Sequence, residues 1–282
     1  MSENYLSIYA KSFSWAGFFL PKKIYKKCSI LYDFCRSLDN IADQDLELEI
    51  KIKQFNEFKD KFLNKDTNDQ IIIRMRELIY SSKISEKIVY DLFEGVESDL
   101  KKEVKINTKK ELLIYSYRVA GTVGLMMAKI LNVKKKNSLK AAIDLGIAMQ
   151  LTNISRDVFE DKKKNRKYID SNFESIKNTL ITADTFYKSS FLSINDIPVK
   201  CRFAIIVARR VYRQIGVNIL KKKNIEKYNK SGKIYVSNLG KFFQTILSIL
   251  DFFILLIISS KKHDREAEHQ IINEEINLNE RI

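Results

Sequence analysis

Apolar positions recur at intervals of three and four over most of this chain, the spacing that lays a stripe along one side of an α-helix. From 24 to 42 the stripe is Ile30, Leu31, Phe34, Leu38 and Ile41, while Tyr32, Arg36, Asp39 and Asp43 fall on a neighbouring face. Residues 46–63, 70–80 and 85–100 mix acids and bases with apolar residues at helical intervals and predict outer scaffold helices. A helix over 110–131 contains Gly121 and Gly124, which points to close approach of another helix or of a ligand, because glycine inside a helix costs about 1 kcal/mol relative to alanine. Residues 138–159 are apolar on nearly every side until Gln150, Asn153, Arg156 and Asp157, as expected of a central helix. A basic loop follows Asp161, and helices over 198–222 and 238–260 close the pattern.

Within this pattern two acidic runs stand out. Asp39 and Asp43 are four apart and share a helix face, as do Asn153, Asp157 and Asp161. Like charges at this spacing disfavour an isolated helix by roughly 0.2–0.5 kcal/mol. A chain with net charge +15 that keeps them is using them, and oxygen ligands of this kind suit a hard cation such as Mg²⁺, which also bridges phosphates. Arg36, Arg156 and Arg166 lie close enough in sequence to neutralise a bound diphosphate. A di-iron bundle would need a pair of Glu-x-x-His motifs, and the sequence does not have two.

Composition narrows the remaining classes. The 282 residues are 45% hydrophobic with only 8 Gly and 2 Pro, so hairpin-rich sheets and glycine-rich phosphate loops have little to be built from. One all-α domain over 1–282 is the economical reading. Cys28, Cys35 and Cys201 form no CxxC pair and read as reduced structural thiols. His263 and His269 both fall in what reads as a polar tail over 261–282, which places them away from general-base chemistry. The basic charge implies an anionic partner: nucleic acid, an acidic membrane surface or a phosphate-bearing substrate. No nucleic-acid motif or aromatic platform is present, so no nucleic-acid partner is expected. Met1 to Tyr9 is polar, which predicts a cytoplasmic location. Residues 239–260 are apolar apart from Gln244, Asp251 and a few hydroxyls, and read as a terminal core helix or as one docked at the inner face of the membrane.

Three stretches then resemble the phytoene and squalene synthase family: Asp39-Asn-Ile-Ala-Asp43 with Cys35-Arg36 before it, Tyr115-Ser-Tyr-Arg-Val-Ala-Gly-Thr-Val-Gly124, and Gln150-Leu-Thr-Asn-Ile-Ser-Arg-Asp-Val-Phe-Glu-Asp161. Lys11-Ser12-Phe13-Ser14 is similar to the family's N-terminal signature, and the matches run from about Lys11 to Val236. The resemblance implies an all-α isoprenoid synthase fold around a central cavity. It also implies head-to-head condensation of two prenyl diphosphates, with Mg²⁺ (or Mn²⁺) bound by Asp39, Asp43, Asn153, Asp157 and Asp161. In that scheme Ser12, Tyr32, Arg36, Gln150 and Arg156 contact or flank diphosphate, with Lys11 and Phe13 beside Ser12. Tyr115 lies near the reacting carbons, Arg166 and Tyr168 take the basic and aromatic positions after the second run, and Tyr212 reaches the diphosphates.

The sequence departs from the family pattern in three places. Asn40 replaces the second acid of the first motif, Tyr9 stands where many relatives have His, and Lys233 stands where a late Arg is common. Lys233 keeps the charge of that anion-binding position without the bidentate fork. A short chain of this family is expected to make phytoene from geranylgeranyl diphosphate without NADPH. The alternatives are a squalene, dehydrosqualene or hydroxysqualene synthase using farnesyl diphosphate, and a non-catalytic basic helical protein.

Overall fold

A computed structural model describes residues 11–258 and 263–282, with side chains from Ser14 onward. Tyr9, Lys261, Lys262 and the side chains of Lys11, Ser12 and Phe13 therefore lie outside the described residues.

The chain is a stack of helices. A short α1 (Lys11–Gly17) leads into α2 (Lys22–Asp43), which Pro21 begins with its preset backbone angle. Phe34 on α2 is fully buried, and its ring lies 5.5 Å from Phe58, 5.7 Å from Phe62 and 5.9 Å from Phe93. Those rings come from α3 (Leu48–Leu63) and α5 (Glu86–Glu97), so one aromatic cluster locks the outer helices to the helix that carries the first acidic run. Asp69 caps α4 (Gln70–Ser82) by accepting from the amides of Ile71 and Ile72.

Among the described residues, extended structure is limited to a two-strand parallel ladder. It joins β1 (Val104–Lys105) to β2 (Arg166–Lys167), with Val104 opposite Arg166. The ladder ties the basic loop after the second acidic run to the segment that precedes α6 (Lys109–Ser116). A π-helical turn over Tyr117–Gly121 leads into α7 (Thr122–Ile130). The central helix α8 (Lys136–Lys163) runs 28 residues and is packed along its length by α9 (Phe173–Phe191), a helix the sequence reading did not identify.

The glycines settle one open question. A Cβ on Gly124 would lie 2.2 Å from the Ala142 carbonyl oxygen, and one on Gly146 would lie 2.2 Å from that of Ala120. These helices meet backbone to backbone, so the glycines serve helix packing. The third glycine, Gly121, has Tyr117 and Ile143 as its close neighbours.

The last third of the chain corrects two expectations. Helix α12 (Asn238–Ile257), reached through α10 (Val199–Leu220) and α11 (Ile225–Lys230), is not a core helix. Its inward side is polar over most of its length, where Asp251 takes two bonds from Arg210 at 2.6 and 2.8 Å and Trp15 donates to Thr245 at 2.9 Å, and turns apolar at Phe252 and Leu255 near its end. Its outward side exposes Phe242, Phe243, Leu250, Phe253 and Leu256 among others. The segment from 263 onward is not a solvated tail either. It forms α13 (Glu266–Asn273), buries Ile272, Ile276 and Leu278, and ends with Arg281 forked onto the buried Asp91 at 2.9 and 3.0 Å.

Candidate active site

A cavity of about 600 Å³ lies between α1, α2, α7, α8 and α10. Its two ends differ in chemistry. One is lined by Tyr32, Arg36, Asp39, Gln150, Asn153, Arg156, Tyr212 and Lys233, all singled out from the sequence. The remainder is hydrocarbon and thioether: Leu31, Val123, Met127, Leu131, Leu145 and Met149 among others. Helical periodicity explains the division. On α8, residues 142, 145, 146, 149, 150, 153 and 156 share one face, so the apolar depth grades into the polar mouth along a single helix.

Around the mouth, each acidic run holds one carboxylate bound by cations and one without an ion pair among the described residues. Asp43 receives Arg166 at 2.8 Å and Lys164 at 3.0 Å. Burial pushes Asp43 up, but these two cations outweigh it and hold its carboxyl below the usual value. Asp157 receives Arg156 through two bonds of 2.8 and 2.6 Å and Lys233 at 3.2 Å. By contrast, loss of hydration and the neighbouring Asp43 raise Asp39 to about 7. The same effects, with Asp157 as the neighbour, raise Asp161 to about 7. Asp39 does keep accessible surface, which opens into the cavity.

One residue unremarked in the sequence joins the two runs. Asp99 accepts from Tyr115 at 2.8 Å and from Tyr168 at 2.6 Å; the two rings stack with centroids 4.7 Å apart. Burial raises its carboxyl, and its charge acts on both Asp39 and Asp161. The guanidinium of Arg166 lowers Asp39, Asp43, Asp99 and Asp161 alike, so it is the shared cation of the acid layer. No periodic signal marks Asp99, because it lies just past the end of α5 and is brought in by the fold. Tyr228 and Tyr235 were also not singled out. The first donates to the Arg156 carbonyl at 2.5 Å, and the second places its ring 5.6 Å from the Arg156 guanidinium.

Four sequence-derived positions differ from the arrangement the resemblance implied. Tyr115 lies against Tyr168 and Asp99 and does not line the cavity. Asp161, Arg166 and Tyr168 face a second, smaller pocket of about 320 Å³. No three acids of the two runs bring oxygens within 4.8 Å of one another. A small cation here would take only one or two protein ligands directly and complete its shell with water and phosphate oxygens, which is the usual way Mg²⁺ is held. The residues fit such an ion. Asn153 Oδ1 is buried at the cavity mouth without a hydrogen-bond partner, and the raised carboxyls of Asp39 and Asp161 are the oxygens that a cation would relieve.

An all-α shell around a cavity with acids and cations at its mouth and hydrocarbon in its depth is the isoprenoid synthase architecture. More particularly, the squalene/phytoene synthase family model matches residues 7–173, more than half of the chain, and the chain belongs to that family. It is 26% identical to a 15-cis-phytoene synthase of Pantoea ananas, over 76% of this chain and 80% of that protein. A 15-cis-phytoene synthase of a Paracoccus strain is 29% identical over 75% of this chain and 79% of its own. Among solved structures, a dehydrosqualene synthase with a bound ligand superposes with TM-score 0.73 at 25% identity, covering 87% of this chain and 93% of the other. A squalene synthase of Alicyclobacillus acidocaldarius has TM-score 0.67 at 15% identity, covers 77% and 90%, and shares the fold.

Proposed function

We propose that the chain condenses two geranylgeranyl diphosphates head to head into phytoene, releasing diphosphate at each of two ionisations. The observation that carries this reading is the divided cavity, with cations and acids at a mouth that opens onto an apolar depth. The curated relatives named as phytoene synthases support the choice of product.

Arg36, Arg156 and Lys233 bind the diphosphates at the mouth, and Gln150, Tyr32 and Tyr212 orient them. Divalent cations, Mg²⁺ or Mn²⁺, each held directly by one or two of Asp39, Asp43, Asn153, Asp157 and Asp161 and otherwise by water and phosphate oxygens, would supply neutralising charge to the departing diphosphate. Loss of the first diphosphate leaves an allylic cation, which the double bond of the second substrate attacks. Loss of a proton then closes the cyclopropylcarbinyl diphosphate. That intermediate ionises, rearranges and gives up a second proton to form the conjugated triene. Leu31, Val123, Met127, Leu145 and Met149 keep water from the cations and so prevent their capture as alcohols. The scheme transfers no hydride, so NADPH is not required.

Incubation with geranylgeranyl diphosphate and Mg²⁺ is expected to yield a hydrocarbon with the absorbance of a conjugated triene, unaffected by NADPH. The likeness to the dehydrosqualene synthase structure favours farnesyl diphosphate as the second reading. A product formed from farnesyl diphosphate alone sinks the phytoene assignment and leaves the family intact.

We also place the enzyme in the cytoplasm, docked on the inner face of the membrane through α12. A mostly polar inward side, with only Phe252 and Leu255 packed on the core, and a broad outward apolar side depart from the usual pattern of a surface helix, and a lipid bilayer is the occupant that suits the exposed face. The helix packs on α10, whose Ile205, Ala208 and Tyr212 line the cavity, so an apolar substrate has a short route inward. A Phe243→Asp, Leu250→Asp double variant, both positions being exposed, is expected to lower co-sedimentation with anionic vesicles about tenfold or more. Unchanged partitioning rejects the docking face.

A further inference from the structure

The chain has two histidines, and both turn onto one carboxylate. His263 Nε2 lies 2.9 Å from Asp144 Oδ2, and His269 Nε2 lies 2.7 Å from Asp144 Oδ1. Asp144, His263 and His269 are 0%, 5% and 1% exposed, and one ligand atom from each falls within 4.8 Å of the others. The cluster is separate from the active site. Asp144 does not line the cavity, although its neighbours Ala142 and Leu145 do, and it precedes Asn153 by nine residues, about 13 Å along the helix.

In metal-free protein Asp144, which also accepts from the Ser189 hydroxyl at 2.7 Å, raises His263 towards the imidazolium, so a proton compensates the buried carboxylate. A divalent cation between the same three groups would take the place of that proton. For one of the two imidazoles an outer carboxylate is at hand: His263 Nδ1 faces Glu266 Oε1 at 3.4 Å, and Lys140 holds that carboxylate through two bonds of 2.9 Å, whereas His269 Nδ1 is buried without a hydrogen-bond partner. The nitrogens and oxygens of a tetrahedral site with bonds of about 2.0 Å lie roughly 3.3 Å apart, so each imidazole nitrogen would draw back from its carboxylate oxygen by about half an ångström.

We propose that Asp144, His263 and His269 form a second metal site, specific for Zn²⁺ or a similar transition metal, that fastens the C-terminal segment to the central helix. Imidazole donors separate it in kind from the all-oxygen acidic runs, which prefer Mg²⁺. Its ligands come from α8 and from the stretch spanning the start of α13, so the bound ion crosslinks residues more than a hundred positions apart.

The test uses the untagged full-length protein, stripped with chelator and kept in excess Mg²⁺ so that the acidic runs are occupied. Titration with Co²⁺ is expected to give a visible ligand-field absorption that saturates at one equivalent, is displaced by Zn²⁺ and is absent from His269→Gln. The zinc-loaded wild type is expected to show scattering from two imidazoles in X-ray absorption at the zinc edge. With only two histidines in the chain, that signal has a single possible source, and it needs no variant that might misfold. No saturating absorption, an absorption that excess Mg²⁺ suppresses, or zinc without imidazole scattering overturns the site.

Discussion

Asp39→Asn and Asp157→Asn are each expected to lower turnover about 100- to 1000-fold while leaving the helical spectrum unchanged. The size follows from losing one preorganised group that stabilises the departing diphosphate, typically worth about 3–4 kcal/mol in the transition state. The two variants differ in a way that separates chemistry from folding. Asp157 is held by Arg156 and Lys233, so its replacement leaves Arg156 without its acid, while Lys233 keeps Glu160 at 2.6 Å. Asp39 makes no ion pair among the described residues, and its carboxyl is raised to about 7 by burial and by Asp43. In metal-free protein a raised carboxyl favours the folded state only when protonated. That contribution is complete below the unfolded value of about 4 and is lost as pH rises towards 7. The wild-type unfolding midpoint should therefore fall between pH 4 and 7 in the absence of divalent cations. Asp39→Asn should show a shallower fall and unfold no earlier than wild type at pH 8, and added Mg²⁺ should flatten the wild-type profile. Retained turnover in both variants rejects the metal-binding role, whereas a large loss of midpoint in Asp39→Asn at pH 8 makes that residue structural.

Gly146→Ala is expected to destabilise the fold by about 3 kcal/mol or more, a midpoint fall of roughly 6–12 °C. The added methyl would meet the Ala120 carbonyl oxygen at 2.2 Å, and backbone on both sides leaves no flexible side chain to yield. The effect reaches the active site because Gly146 lines the cavity and Ala120 belongs to the π-helical turn that forms the adjoining wall. Gly232→Ala is the control. Its surroundings are open, and only its φ of +60° disfavours a side chain, so a cost of about 1 kcal/mol is expected. Equal midpoints for Gly146→Ala and wild type, read by thermal denaturation, would show that the helices separate more easily than their backbone contact implies.

The acidic runs were readable because i,i+4 spacing on a helix is a local property. A stripe of apolar residues beside them identified both the helices and the face presented inward, and Tyr32, Arg36, Asp39, Gln150, Asn153 and Arg156 at the cavity mouth come from that reading, whereas Tyr212 and Lys233 came from the family resemblance and Tyr235 from neither. Helix α9 was legible but not read: Asn172 caps it, and Ile176, Leu180, Ala183 and Tyr187 fall at helical spacing on its buried side, against α8. The π-helical turn escaped because a widened turn has no distinctive composition; here it accommodates Gly95 beneath Arg118 and Val119.

The sequence by itself determined an all-α protein, the two acidic runs and their cations, since these follow from periodicity and charge within single helices. Only the tertiary structure decided how the groups divide. Asp99 became the link between the runs, Tyr115 was turned away from the cavity onto Tyr168, α12 was left with its apolar side outward, and both histidines were buried against Asp144. The physical reason is the same in each case. Whether a polar or apolar side chain is buried, paired or exposed depends on which distant segment packs against it, and spacing along the chain does not specify that partner.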